Sequence, residues 1–348
     1  EAARAGYKAE ADKIEDQFTA KLNTLARKIE KQSSVVDKYE DNVDRRKMEE
    51  LGLTRERQTG VWEFTGDIES NLRSLGTRGD IIKTMHRALR ETGIDRPAGG
   101  FAVFDTTKPS DRIAGRVVGI GLTDEINDRH YVVIDGTDGR VHYADVGHVP
   151  PEFVPEKGMI VAVENQAAGE GDRVRTRLRI LSYLNLEKLI EADGATWLDR
   201  ELLRSSREEF AGAGFGAEAQ EALVRRRQWL VSQSLGRTAE DGRFRPIPNM
   251  LQQLRHRDVQ QAGLALSKEL GLAHVEPVEG ERLTGIYVRS ANLSSGKYAV
   301  IQRSKDFTLV PWRLELEQFR GKPLSGTTSS QGISWDWNAK RGQGLSFS

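Results

Sequence analysis

Arginine is the residue type whose spacing offers the clearest chemistry in this chain. The segment RRRQWLVSQSLGRTAEDGRFRPIPNMLQQLRHR carries Arg225, Arg226, Arg227, Arg237, Arg243, Arg245, Arg255 and Arg257 against only Glu240 and Asp241. A guanidinium fork matches the oxygens of a phosphate, and each phosphate neutralised releases counterions. The chemistry on offer is therefore capture of an anionic backbone, and the eight arginines are the candidate DNA-binding residues. The bland alternative is a solvated basic face that pairs with carboxylates elsewhere. Trp229 and Phe244 read as core residues holding this segment to its neighbours rather than as base-stacking groups.

Other chemistry is hard to find. The histidines are His86, His130, His142, His148, His256 and His274, with no H-x-H or H-E-x-x-H spacing. His130, His142 and His148 share one β-rich stretch with Asp135 and Asp145, but they read as ordinary strand and loop residues more readily than as metal ligands. SSGKY at Ser294–Tyr298 lacks the first glycine and the terminal Ser/Thr of a phosphate-binding loop, and GIGLTD lacks the third glycine of a dinucleotide fingerprint. From these residues no catalytic residue, metal or cofactor is expected.

The elements that must position the arginines follow from periodicity. The 348 residues predict two to four domains, and with 52 basic and 52 acidic residues the net charge is zero. Any anionic partner must therefore be met by local segregation of charge. The absence of cysteine excludes disulfides, thiolate metal sites and a cysteine nucleophile, and it fits a reducing compartment. No apolar run reaches the ~18–20 residues that would span a bilayer, so no membrane insertion is expected. The expected fold class is α+β and multidomain, with winged-helix-like helical units alternating with small antiparallel β-barrels of the OB or SH3 kind. Residues 1–34 read as a long amphipathic helix with a seam from Tyr7 to Ile29. Residues 35–93 read as a winged-helix-like unit: a helix with Val43, Met48 and Leu51, a hairpin turning at Gly60, and helices capped by Asp67 and Asp80. The last helix is expected to face inward through Ile81, Ile82, Met85 and Leu89. Residues 94–111 read as a linker and 112–184 as a five-stranded small barrel with a tight hairpin at DGTDG. Residues 185–274 read as a second, basic helical unit, 275–337 as a second small β-rich domain, and 338–348 as an exposed tail.

The basic segment has an earlier counterpart. RRKMEELGLTRERQTGVWEFTGDIESNLRSL, from Arg45, shares its outline of basic helix start, Leu-Gly break, polar turn, Gly-x-aromatic strand and a helix ending in Leu-Arg. Gly52 matches Gly236, Gly60 matches Gly242, and Leu72-Arg73 match Leu254-Arg255. Helix, hairpin and helix are parts of a winged-helix module, which binds DNA or docks proteins. The first copy is acidic, so the second is the expected phosphate binder.

Several segments in order, among them LGTRGDIIKTMHRAL, GRVVGIGLTDEINDRHYVVIDGTDGRVHY, TWLDRELL, GFGAEAQEALVRRRQWLV, GIYVRSANLSSGKYAVIQRSKDFTLVPWRLELE and ISWDWNAKRGQGLS, resemble the carboxy-terminal region of bacterial relaxases. These are the mobilisation nucleases of conjugative plasmids and integrative elements, related to the nuclease that processes transferred DNA in Agrobacterium. The resemblance covers roughly residues 45–348. It implies a region that follows the nuclease domain, whose tyrosine and metal-binding histidine triad have no counterpart here, and hence a non-catalytic role. It also implies DNA near a transfer origin as partner, single- or double-stranded, in the bacterial cytoplasm or translocated with the transferred DNA. Relaxosome accessory proteins or a type IV coupling protein are further implied partners. A protein-docking module serving that secretion machinery is the alternative, favoured by the zero net charge, the seam at 7–29 and a tail carrying Lys340 and Arg341.

Overall fold

The alternation of β-branched residues with glycine-punctuated turns between Arg112 and Ser182 builds the first sheet. In the computed structural model the described residues are 21, 54–58, 61–64, 68–167, 174–204, 210–240, 242–329 and 332–337. The expected helix carrying Val43, Met48 and Leu51, the turn at Gly60, the cap at Asp67 and the tail at 338–348 lie outside them, as does the expected helix at 1–34 apart from residue 21. The chain divides into two units, Glu1–Asp80 and Ile81–Ser348.

In the first unit the expected hairpin is present: β1 (Thr54–Gln58) pairs antiparallel with β2 (Val61–Phe64), with Arg55 opposite Glu63. Helix α1 runs unbroken over Ile68–Thr92, so its residues from Ile81 onward belong to the second unit. Two separate helices were expected here, with Asp80 capping the second. Gly76 and Gly79 do not break the helix, and Asp80 lies within it. A helical glycine costs only about 1 kcal/mol relative to alanine, too little to outweigh a continuous hydrogen-bond ladder. The helix ends at Gly93, whose φ of 69° is the left-handed turn that glycine adopts freely.

In the second unit the strands are β3 (Phe101–Val103), β4 (Arg112–Asp124), β5 (Arg129–Gly136), β6 (Val141–His148), β7 (Ile160–Ala167) and β8 (Val174–Ser182). They lie in the order β3-β6-β5-β4-β7-β8. All pairs are antiparallel except β3 with β6. The five expected strands are all there. The sheet does not close into a barrel: it ends at β3 and β8, and β3 rises from what was expected to be linker. One face buries Val117, Val132, Ile134, Val161 and Val163. On the other, Val118, Val133 and Val141 meet Met85, Ala88 and Leu89 of α1. Ile82, expected to face inward, is exposed, whereas Met85 and Leu89 are buried as expected.

Helices α2 (Leu186–Ile190), α3 (Trp197–Leu203) and α4 (Gly214–Ser232) follow. Their Leu189, Trp197, Leu198, Phe215 and Ala219 share a core with Ile160 of β7. An ion network fastens α4 to the sheet. The buried Asp135 carboxylate accepts from Arg96 and Arg116 at 2.9 Å each, and both arginines also reach Glu218 of α4, at 2.9 and 2.8 Å. A two-stranded ribbon, β9 (Gly236–Thr238) with β10 (Phe244–Pro246), leads into α5 (Met250–Leu270).

The second sheet comprises β11 (Ala273–His274), β12 (Arg282–Leu293), β13 (Gly296–Gln302), β14 (Asp306–Pro311), β15 (Pro323–Ser329) and β16 (Gly332–Trp335). Its order is β11-β14-β13-β12-β15-β16, again with two open ends. Leu266 of α5 packs on Val300, Phe307 and Leu309 of this sheet. The expected helix at Leu314–Phe319 is a 3-10 helix.

Candidate nucleic-acid interface

The arginine-rich segment folds as helix, ribbon and helix. Leu230, Leu235, Met250 and Leu254 make its core, and Trp229 and Phe244 pack against them, as their apolar rings predict. In the earlier counterpart, β2 ends at Phe64 and α1 begins at Ile68; here β10 ends at Pro246 and α5 begins at Met250. Ribbon and following helix are thus separated identically in the two copies.

The helical period sorts the three consecutive arginines. Arg225 is exposed, Arg227 is half-buried, and Arg226 is fully buried. Arg226 is therefore not a phosphate contact, contrary to the expectation. Its guanidinium grips Asp199 in a fork, Nε to Oδ1 at 2.8 Å and Nη2 to Oδ2 at 2.9 Å. It also donates to the carbonyls of Ile190, Ala192 and Gly194, and it lies 4.2 Å over the Trp229 ring. Asp199 is itself held as the third residue of a capping box with Thr196 at the start of α3. Arg227 Nη1 donates to the Gly242 carbonyl at 3.3 Å, tying α4 to the ribbon.

Arg237, Arg243, Arg245 and Arg255 are exposed, and Arg257 reaches Asp193 at 3.4 Å. Within the ribbon, Arg237 stands directly opposite Arg245. Like charges at opposed positions repel by a few tenths of a kcal/mol to about 1 kcal/mol. In the earlier ribbon the matching pairing is Arg55 with Glu63.

A second basic surface did not emerge from the sequence reading. In β8 the residues alternate, so Arg175, Arg177 and Arg179 are exposed on one face of a strand at the sheet's end. Glu164 of β7 stands opposite Arg177 and pairs with Arg179 at 3.4 Å. Arg179 opens into a cleft of about 650 Å³ between this end of the first sheet and the β12–β13 turn, lined also by Arg200, Lys297, Arg313, Tyr183 and Trp312. Arg200 donates to the Leu181 carbonyl at 2.7 Å. Burial pushes its guanidinium below the ordinary value; Arg255 and Arg179 act in the same direction, Asp199 and Glu201 against it. Lys297 lies 4.0 Å over the Trp312 ring and donates to the Glu152 carbonyl at 3.2 Å. Burial pushes its ammonium down as well, against the pull of Glu317 and Glu152. The signal that could have found this surface is the period-two spacing of arginines in RVRTRLRIL, which marks one face of a strand.

The histidines do not converge. His142 Nε2 meets Asp138 at 2.9 Å, and His148 Nδ1 meets Asp128 at 3.2 Å. Among the described residues no three His, Asp or Glu side chains form a group able to hold a metal. Nor is any helix among them long and apolar enough to cross a membrane.

These elements define an α+β protein with two basic surfaces, one on a ribbon and one on an end strand. A family model described as a protein of unknown function, DUF3363, matches residues 42–176 and 167–344, and the chain belongs to that family. No curated protein and no solved structure matches it.

Proposed function

We propose that this chain is the non-catalytic carboxy-terminal region of a conjugative relaxase, and that it binds DNA within the processing and transfer complex. The observation that carries the binding is the opposed pair Arg237 and Arg245 on the exposed ribbon. Two guanidinium groups at opposed positions can share one phosphate, and Arg225, Arg243 and Arg255 are further exposed arginines of the same segment. The sequence resemblance supports the placement in conjugative transfer. On this reading the winged-helix-like character lies in the helix, ribbon and helix that present these arginines. Arg227 donates to the Gly242 carbonyl and Arg257 pairs with Asp193.

The test is fluorescence anisotropy of the full chain with duplex and single-stranded DNA across a salt series. Arg237→Glu/Arg245→Glu is expected to weaken binding at least tenfold and to lower the salt slope by about 2, roughly 0.9 per lost duplex phosphate contact. An unchanged slope in a folded variant would sink the assignment of these residues. No binding of the unaltered chain at low salt would leave the protein-docking reading, in which the region links the relaxase to a coupling protein or type IV secretion machinery.

A further inference from the structure

The end strand β8 and the cleft beside it share a chemistry that the ribbon lacks. Side chains two residues apart on a strand repeat at about 6.7 Å. This matches the order of the separation between adjacent phosphates in an extended single strand, so Arg175, Arg177 and Arg179 form a comb in register with such a backbone. The comb leads through Arg179 into the cleft, where Arg200, Lys297 and Arg313 add three cations and Tyr183 adds an aromatic ring. Glu315 is the carboxylate on the lining, and Glu164 faces the comb.

The cleft is a built feature. The Ser295 backbone N–H donates to Asp258 of α5 at 2.7 Å, and the Ser295 hydroxyl accepts from the Ala195 N–H at 3.0 Å. The β12–β13 turn is thereby pinned against both α5 and the start of α3. One face of Trp312 is covered by Lys297 and Phe153 packs edge-on against its ring, and Tyr183 is the further aromatic ring on the lining. About 650 Å³ lies within the range of small-ligand sites, roughly 300–1,000 Å³. It suits one nucleotide, and a duplex is too wide to enter.

We infer that β8 and this cleft bind a single strand of nucleic acid, its phosphates along Arg175, Arg177 and Arg179 and one nucleotide seated between Arg200, Lys297 and Arg313. The inference rests on the reading that the chain handles nucleic acid, and it adds a second site with its own strand preference. A groove that combines cations with an aromatic platform is sequence-tolerant, because every base has a face to stack.

The experiment compares a fluorescent oligo-dT with a duplex of equal length, using the full chain, Arg175→Glu/Arg177→Glu, Arg313→Glu and Arg237→Glu/Arg245→Glu. The β8 and cleft variants are expected to lose tenfold or more in oligo-dT affinity, with a salt slope lower by about 0.7 per contact, and to keep duplex affinity within twofold. Equal losses on duplex, or unchanged oligo-dT binding, would overturn the inference. If the unaltered chain binds duplex but not oligo-dT, this inference fails while the proposed function stands; if it binds neither, both fail. Should a charge-reversed variant not fold, photocrosslinking of iodouracil-substituted oligo-dT to the unaltered chain decides the matter. Crosslinks at Tyr183 or its neighbours are expected, and crosslinks confined to residues 236–246 would refute the site.

Discussion

Replacing Arg226 by methionine should damage the fold and spare any surface chemistry. Its guanidinium and the Asp199 carboxylate are both fully buried. Five hydrogen bonds from Arg226 satisfy that carboxylate and the carbonyls of Ile190, Ala192 and Gly194. Methionine fills similar volume but leaves Asp199 as an uncompensated buried charge. Breaking a buried pair in this way costs about 3–5 kcal/mol. With a urea m-value of about 3 kcal/mol/M, the unfolding midpoint should fall by roughly 1–2 M. Arg225→Met, one position earlier on the exposed face, should stay within about 0.5 kcal/mol. Much of the loss is the orphaned charge, so Arg226→Met/Asp199→Asn should be less destabilised than the sum of its single changes. It will not return to the starting stability, because three carbonyls stay unmet and the capping box loses its carboxylate. Urea denaturation followed by tryptophan fluorescence reads all five proteins, the unaltered chain, Arg225→Met, Arg226→Met, Asp199→Asn and the double variant. An Arg226→Met protein within about 1 kcal/mol of the unaltered chain would refute the buried-pair argument. So would a fully stable variant that lost DNA affinity to the extent expected of Arg237→Glu/Arg245→Glu.

Two further outcomes follow from packing and burial. Gly216→Ala should destabilise strongly, about 1–3 kcal/mol or more, because the added Cβ would sit 2.4 Å from the Thr137 carbonyl oxygen and 2.6 Å from that of Ala211, both backbone atoms; a midpoint unchanged in thermal melting would contradict this. His274 is packed against Gly263 and the Phe307 ring, and burial pushes its imidazole below the ordinary 6.5, with Glu276 opposing. The unfolded chain then takes up the proton first as pH falls, so stability present in full above 6.5 is lost as pH drops through the lower folded value. His274→Gln should flatten that part of the stability–pH curve, and an unchanged slope would show that His274 is not its source.

The sequence disclosed the parts of this fold that are locally encoded. The strands from Arg112 to Ser182 carry β-branched runs between turn residues, and the hairpin at Gly139 follows from a glycine with φ of 79°. Strands β3 and β11 escaped notice because three and two residues carry no period. They exist only through parallel pairing with β6 and β14. Sheet closure was equally invisible, since alternation along a strand is the same in a barrel and in an open sheet. The cleft depends on the Ser295 turn meeting Ala195 and Asp258, contacts across long stretches of chain that no local pattern records.

The arginines show where a residue's type can hide its phase. Phe215, Ala219, Ala222, Arg226 and Leu230 recur at spacings of three and four, and all five are buried along α4. Arg226 therefore sits on the inward stripe, and its charge disguised a core position that the helical period already marked. The same rule, applied to β8, places Arg175, Arg177 and Arg179 together on the outward face. An arginine's role in this chain is thus decided by the period of the element that carries it. Where period turns the side chain inward, a carboxylate such as Asp199 or Asp135 must meet it, and the pair contributes to the core. Where period turns successive arginines outward, as on β8, they lie in one row on the surface, with Glu164 opposite Arg177 and paired to Arg179.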